Sequence, residues 1–162
     1  LAPTQGYTMS NFEPLTHENN LKEIVKSSFD MDLSISGGWG YTREEATIIH
    51  DLQNIPLAQL EHTFASMRAY GEMNMALPKE LRYGSINVNE TEREKVTIDG
   101  NTFEKVTYEI SAMKEHVYTA LIDEYKEGYG KEGFDMEEHF KKRSNATLKR
   151  EVVHWFDITQ IR

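Results

Sequence analysis

Cysteine is absent from this 162-residue chain. That excludes a disulfide framework, zinc sites built on thiolates, iron–sulfur clusters and thiol nucleophiles. It leaves the compartment open, because a cysteine-free chain folds in reducing and oxidising spaces alike. No apolar run approaches the ~20 residues of a membrane-spanning helix, so no membrane insertion is expected. Positive charge is scarce: 18 Lys and Arg against 27 Asp and Glu give 18 − 27 = −9. Such a chain repels polyphosphate, which argues against DNA or RNA as a partner. The densest basic cluster, Lys141-Lys142-Arg143 with Lys149 and Arg150 nearby, is small and lies close to Glu137 and Glu138. Residues Leu1 to Asn11 carry no charge and lack the basic start and apolar run of a signal peptide. In this reading any such peptide has already been removed, and a soluble, cytoplasmic protein is favoured.

Local catalytic motifs are missing too. The six histidines, His17, His50, His62, His116, His139 and His154, show no His-x-x-x-His or His-Glu-x-x-His spacing, so no local zinc box exists. No Gly-x-Ser-x-Gly elbow is present. A convergent metal site could draw on His62, His154, Glu61, Glu72 and Asp157, but scattered histidines are the simpler reading. Neither a metal nor a cofactor is expected. No internal repeat, low-complexity tract or linker divides the chain. The expectation is an irregular lead-in over 1–15 and one α+β domain over 16–162, a length that can bury a real core.

The elements follow from periodicity. Thr16 can cap a helix over 16–29 that places Leu21, Ile24, Val25 and Phe29 on one face. Met31, Leu33 and Ile35 alternate with polar residues, as in a short strand. Thr42 and Glu45 have the spacing of a capping box and predict a helix over 43–53. Residues 58–77 read two ways. Leu60, Phe64, Met67 and Gly71 fit a helical stripe, but eight alternations from Thr63 to Leu77 favour a strand over 60–76. Ile86 and Val88 begin a strand that the charged run Glu90 to Lys95 interrupts or edges and Val96-Thr97-Ile98 resumes; Asp99-Gly100 then predicts a hairpin, since the turn needs positive φ, with Val106, Tyr108, Ile110 and Ala112 on one face of the return strand. Helices over 113–128 and 135–144 and a strand over 147–159 complete the chain. The middle resembles a β-α-β-β-α-β ferredoxin-like plan with an extra hairpin arm, its sheet mostly antiparallel and its helices on one face. That architecture hosts many unrelated functions.

Three groups of residues carry functional expectations. Gly37, Gly38 and Gly40, between a strand and a helix start, could present amides to an anion, although a tight turn is the simpler reading. From Asp123 to Glu138 seven acids face two bases, a local charge of 2 − 7 = −5. This is either a solvated face or a surface for a basic protein partner. If 60–76 is a strand, His62, Phe64, Arg68 and Tyr70 share a sheet face that Phe103 and Trp155 could join. An open aromatic face of this kind suits symmetric self-association, so a homodimer with a binding or assembly role is the favoured function. The alternative is a small-ligand enzyme or sensor whose pocket lies between sheet and helices or across the dimer. Trp39 and Tyr41 would then stand near its mouth, and His62, Arg68 and Tyr70 would supply polar groups.

Overall fold

The computed structural model describes residues 12–16 and 20–161. Of the segments read from sequence, most of the lead-in and His17 lie outside the described residues. The described chain forms α1 (Leu21–Phe29), β1 (Ile35–Gly37), β2 (Thr47–Ile49), α2 (Leu57–Tyr70), β3 (Tyr83–Ile98), β4 (Asn101–Lys114), α3 (Glu115–Gly128), α4 (Met136–Ala146) and β5 (Leu148–Asp157). This is an α+β fold around one five-stranded sheet in the order β1-β2-β5-β4-β3. All neighbours are antiparallel except β2 and β5, which run parallel. No helix among the described residues is long and apolar enough to cross a membrane.

The order of elements from β2 to β5 contains β-α-β-β-α-α-β, which motivated the ferredoxin-like expectation. The strand order departs from that plan, because β5 lies between β2 and β4. The hairpin reading is confirmed in register. Asp99 and Gly100 both take positive φ, 52° and 82°, and Ile98 pairs with Asn101. A bulge between Glu90 and Glu92 then shifts the pairing along the edge strand.

Two predicted elements are corrected. Residues 60–76 are not a strand: α2 covers them to Tyr70 and continues into a π-helical turn over Gly71–Met75. In the wider turn three successive residues, Gly71, Glu72 and Met73, are buried. Residues 43–53 are not a helix. The cap itself forms, since the Glu45 amide donates to Thr42 Oγ1 at 3.2 Å. The β-branched Thr47, Ile48 and Ile49 then enter the sheet as β2 and end the turn. The α1 start also moves: Asn20, not Thr16, supplies the cap, accepting from the Glu23 amide at 3.1 Å.

The core lies between α1, α2 and one side of the sheet, where Val106, Tyr108, Ile110 and Ala112 of β4 alternate inward toward Phe64, Ala65 and Leu60. Gly84 and its cross-strand partner Met113 belong to the opposite row. An added Cβ at Gly84 would lie 3.5 Å from Tyr118, so α3 meets the sheet on the side away from α2. The helices therefore do not share one face.

One glycine is fixed by its neighbours as well as by its backbone. Gly40 has φ +80°, and a Cβ there would come within 2.1 Å of the His154 ring. Gly130 has nearly the same φ, +79°, with open space around it. Gly130→Ala is expected to cost about 1 kcal/mol from backbone strain alone. Gly40→Ala is expected to cost about 3 kcal/mol or more, because it adds the collision with a buried ring. Urea unfolding of the two variants measures the difference, and equal losses would contradict the packing described.

Candidate functional site

The buried stripe of α2 and the turn after it carries Glu61, Phe64, Ala65, Arg68 and Glu72. Three of these five are ionisable, so each needs a partner in the core. Arg68 is 2 % exposed and donates to two backbone carbonyls, Trp39 O at 3.1 Å and Val153 O at 2.8 Å. Its guanidinium lies 4.5 Å from the centre of the Tyr41 ring, a cation–π contact. The Tyr41 hydroxyl donates to Glu72 Oε2 at 2.5 Å and accepts from the Leu15 amide at 2.9 Å. The second Glu72 oxygen accepts from buried Arg150 at 2.9 Å. Burial and the Glu72 carboxylate hold the Tyr41 hydroxyl well above the ordinary phenol range.

Beside this chain lies His154, fully buried and stacked on Phe156 with ring centres 4.1 Å apart. Thr47 Oγ1 donates to Gly38 O at 2.7 Å and stands 3.0 Å from His154 Nε2. Since the hydroxyl proton goes to Gly38, the threonine oxygen is the acceptor and Nε2 carries the ring proton. Burial and the nearby Arg68 charge push His154 well below its ordinary value, so the ring is neutral.

A second polar centre gathers around Arg93 at the other end of α2. Its Nη1 donates to Glu61 at 2.6 Å and to Glu104 at 2.8 Å. Nη2 and Nε donate to Glu90 at 2.7 and 3.1 Å. Three carboxylates thus surround one guanidinium. Glu61 is 0 % exposed, and its pKa is pushed up to about 8, chiefly by burial and then by the hydrogen bond and charge of Glu104, against Arg93. At neutral pH Glu61 therefore keeps its proton and shares it with Glu104. Buried Tyr108 lies behind, its hydroxyl raised by burial and by Glu61.

Between these centres the outer side of α2 borders an open groove of about 470 Å³. Phe29, Met67, Ile86 and Val88 give it apolar walls, and His62, Thr63, Ser66 and Tyr70 supply polar groups. His62 Nε2 donates to Val88 O at 2.7 Å. Tyr70 meets Phe29 edge to face at 6.3 Å. The volume suits a small molecule.

The residues expected from sequence fall into separate places. Trp39, Tyr41 and Arg68 converge in the first buried centre. His62 and Tyr70 line the groove. Phe64 is buried in the core beneath α2. Phe103 and Trp155 pair edge to face at 6.3 Å on the sheet side away from α2. They share no surface with His62 or Tyr70, because 60–76 is helical. The amides of Gly38 and Gly40 bond to Ala46 O and Glu45 O, at 3.2 and 2.7 Å, and no helix follows Gly37. The elements of an anion cradle are therefore not assembled there. His62, His154, Glu61, Glu72 and Asp157 are dispersed, and no group of three or more His, Asp or Glu among the described residues is placed to hold a metal. Arg93, Glu104 and Tyr108 are not among the site residues expected from sequence, and Arg150, read there as part of a basic cluster, is buried against Glu72. The hairpin held the clue, since a two-residue turn at Asp99-Gly100 sets Lys95 opposite Glu104 and brings Arg93 diagonally beside it. No protein-family model, no curated protein and no solved structure matches the chain.

The Glu61 proton has a measurable consequence. An unfolded glutamate releases its proton near pH 4.5, whereas folded Glu61 holds it to about pH 8. Across that window the folded state binds more protons, so this group's contribution to stability falls as pH rises and levels off above about 8. Glu61→Gln keeps a neutral donor toward Glu104 and an acceptor for Arg93. The variant is expected to gain stability relative to the parent as pH rises from 5 to 8.5. Urea midpoints across that range test it, and parallel curves would refute the proton assignment.

Proposed function

We propose that the protein binds a small, largely apolar molecule in the groove between α1, α2 and β3. The observation that carries this reading is the groove itself: about 470 Å³, walled by Phe29, Met67, Ile86 and Val88, with a few polar groups along one side. The helix presenting those polar groups is anchored from behind by Arg68, Glu61 and Glu72, so the outer face is held in one rotation. A rigid, preformed site of this kind lowers the ordering cost of binding. The reading assigns binding without chemistry, since the carboxylates and guanidinium groups near the groove are engaged with one another.

Self-association through the sheet remains a second reading, and one observation favours it. On the side away from α2, Trp155 and Val153 are half-exposed beside Phe103, and Lys105 lies over the Trp155 ring at 5.6 Å. Exposed aromatic surface on a sheet is a common seat of symmetric contact. The dimer expected from sequence would use this surface without His62, Phe64, Arg68 or Tyr70.

Two measurements separate the readings. Nile red, a neutral solvatochromic dye, is expected to bind the parent, and Ser66→Trp, which fills the groove from an outward helix position, is expected to weaken it about tenfold. Phe140→Lys, on an exposed aromatic of α4, serves as the control and leaves binding unchanged. Equal dye binding by Ser66→Trp and the parent would overturn the groove reading. Sedimentation equilibrium of the parent and Trp155→Asp tests the second. A dimer that Trp155→Asp dissociates supports it, and a monomeric parent rules it out.

A further inference from the structure

We propose that Ser36, His50 and Gln160, at the β1 edge of the sheet, form a nucleophilic centre that takes the acyl group of a small carboxylic ester onto Ser36. The proposal is independent of the groove, which borders β3 at the opposite edge. Topology brings the three residues together. β1 and β2 pair antiparallel with Ser36 opposite Ile48, and the ladder runs on through the His50 amide, which donates to Ser34 O at 2.8 Å. Ile35 and Ile49 turn into the core, so Ser36 and His50 are diagonal neighbours on the other face. β5 runs parallel to β2 with Asp157 beside Ile48, and the chain beyond it carries Gln160 to His50. No sequence motif marks the set, because its members are 14 and 110 residues apart.

The hydrogen bonds run in the sense that an activated serine requires. An amide oxygen only accepts, so the 2.6 Å contact with Gln160 Oε1 puts the ring proton on His50 Nδ1. Nε2 keeps its lone pair, and Ser36 Oγ donates to it at 2.7 Å. A hydroxyl bonded to a ring nitrogen, with the ring held by a third group, is the geometry of a serine nucleophile and its base. Ser34 bonds His50 and Gly38 bonds Ala46, so by alternation the Gly37 amide faces the open edge rather than β2. That amide is next to the nucleophile and can donate to an oxyanion. The Ile48 side chain, which borders Gly37, offers an apolar surface to the acyl group. His50 and Gln160 are exposed, so the site is shallow and suits a small ester.

In the reaction Ser36 Oγ bonds to the carbonyl carbon and passes its proton to His50 Nε2. The carbonyl π pair moves onto oxygen and returns as the bond to the leaving oxygen breaks. The leaving group takes the proton from Nε2, giving an alcohol and acyl-Ser36. Water then gives a proton to Nε2 and bonds to the acyl carbon, and the acid departs as Ser36 Oγ regains the proton. Gln160 is a positioning residue, holding the ring in the tautomer that accepts.

Two reagents test the centre at about pH 8.5, above the range in which imidazoles titrate. Diisopropyl fluorophosphate locates the nucleophile in the parent protein: an Oγ–P bond forms, the P–F bond breaks and fluoride leaves with the proton. Peptide mass mapping is expected to find the label on Ser36. With p-nitrophenyl acetate, Ser36→Ala and His50→Ala are each expected to lower the hydrolysis rate about a hundredfold. Gln160→Ala is expected to lower it about tenfold, and Gln160→Glu to raise it about tenfold, because a carboxylate there also stabilises the imidazolium. A glutamine that merely supported the fold would give no faster protein on that change. Ser27→Ala, on exposed α1 surface, is the control and leaves the rate unchanged. Label on another residue, or none, would overturn the proposal whatever the variants do. So would hydrolysis by Ser36→Ala at the parent rate, since the imidazole alone would then be the catalyst. A Gln160→Glu rate no higher than that of Gln160→Ala would overturn the role given to Gln160.

Discussion

The buried guanidinium of Arg68 decides how α2 sits on the sheet. Taking a charge out of water costs several kcal/mol even after relaxation, so the site persists only where fixed dipoles replace the solvent. Here they come from three different parts of the chain: Trp39 O from the segment after β1, Val153 O from β5, and the Tyr41 ring face. Each accepts the charge in one direction only, and together they permit a single rotation of the helix. With Arg68 inward, helical spacing also carries Glu61 and Glu72 inward, at seven residues before and four after. The same rotation turns His62, Ser66 and Tyr70 outward, where they edge the groove. The groove thus depends on a charge that does not line it.

That arrangement also explains why periodicity favours a strand over the helix that forms as α2. Amphipathic reading assumes that the buried stripe is apolar. The stripe here mixes Glu61, Arg68 and Glu72 with Phe64 and Ala65, while the exposed side carries Tyr70. Scored by hydrophobicity, the 3.6-residue period is blurred, and the small residues between Thr63 and Gly71 supply a false period of two. The helical propensity of Ala, Leu, Met and Glu was the better guide in this stretch. The ionic partners could not be read locally either, since Arg93, Arg150 and Val153 reach α2 through the sheet from 32, 78 and 85 residues away.

Where the controlling interactions are local, the sequence was more informative. The Asp99-Gly100 turn needs no tertiary help, because two positive φ values set its geometry, and the strands it joins followed in register. Asp135 caps α4 by accepting from the Glu138 amide at 3.0 Å, another contact within one turn. Thr42 marks the limit of such signals. Its hydroxyl caps the Glu45 amide as the spacing required, yet the strand pairing of Thr47 with Phe156 and Gly37 takes over two residues later. A cap satisfies an amide at a turn; propagation of a helix beyond it depends on what the next residues can bury.

The two polar centres under α2 respond to pH in opposite senses. His154 is buried neutral, so the stability it permits is present above about pH 6.5, the value of the free ring, and is lost as pH falls below it. Glu61 is buried with its proton, so its contribution is greatest below pH 4.5 and declines as pH rises toward about 8. Neither group can be relieved by water, because both are sealed between helix and sheet. Replacing either by an apolar residue would orphan what it serves: Thr47 would lose the donor it meets at His154, and Arg93 would lose an acceptor at Glu61. The polar groups are therefore retained as sets. Arg93 can hold its set because a guanidinium fork reaches three carboxylates at once, which the single ammonium of a lysine would do with poorer geometry. The same commitment ties β3 to α2 through Glu61, so the interaction that closes the core at this end also holds the strand against the helix.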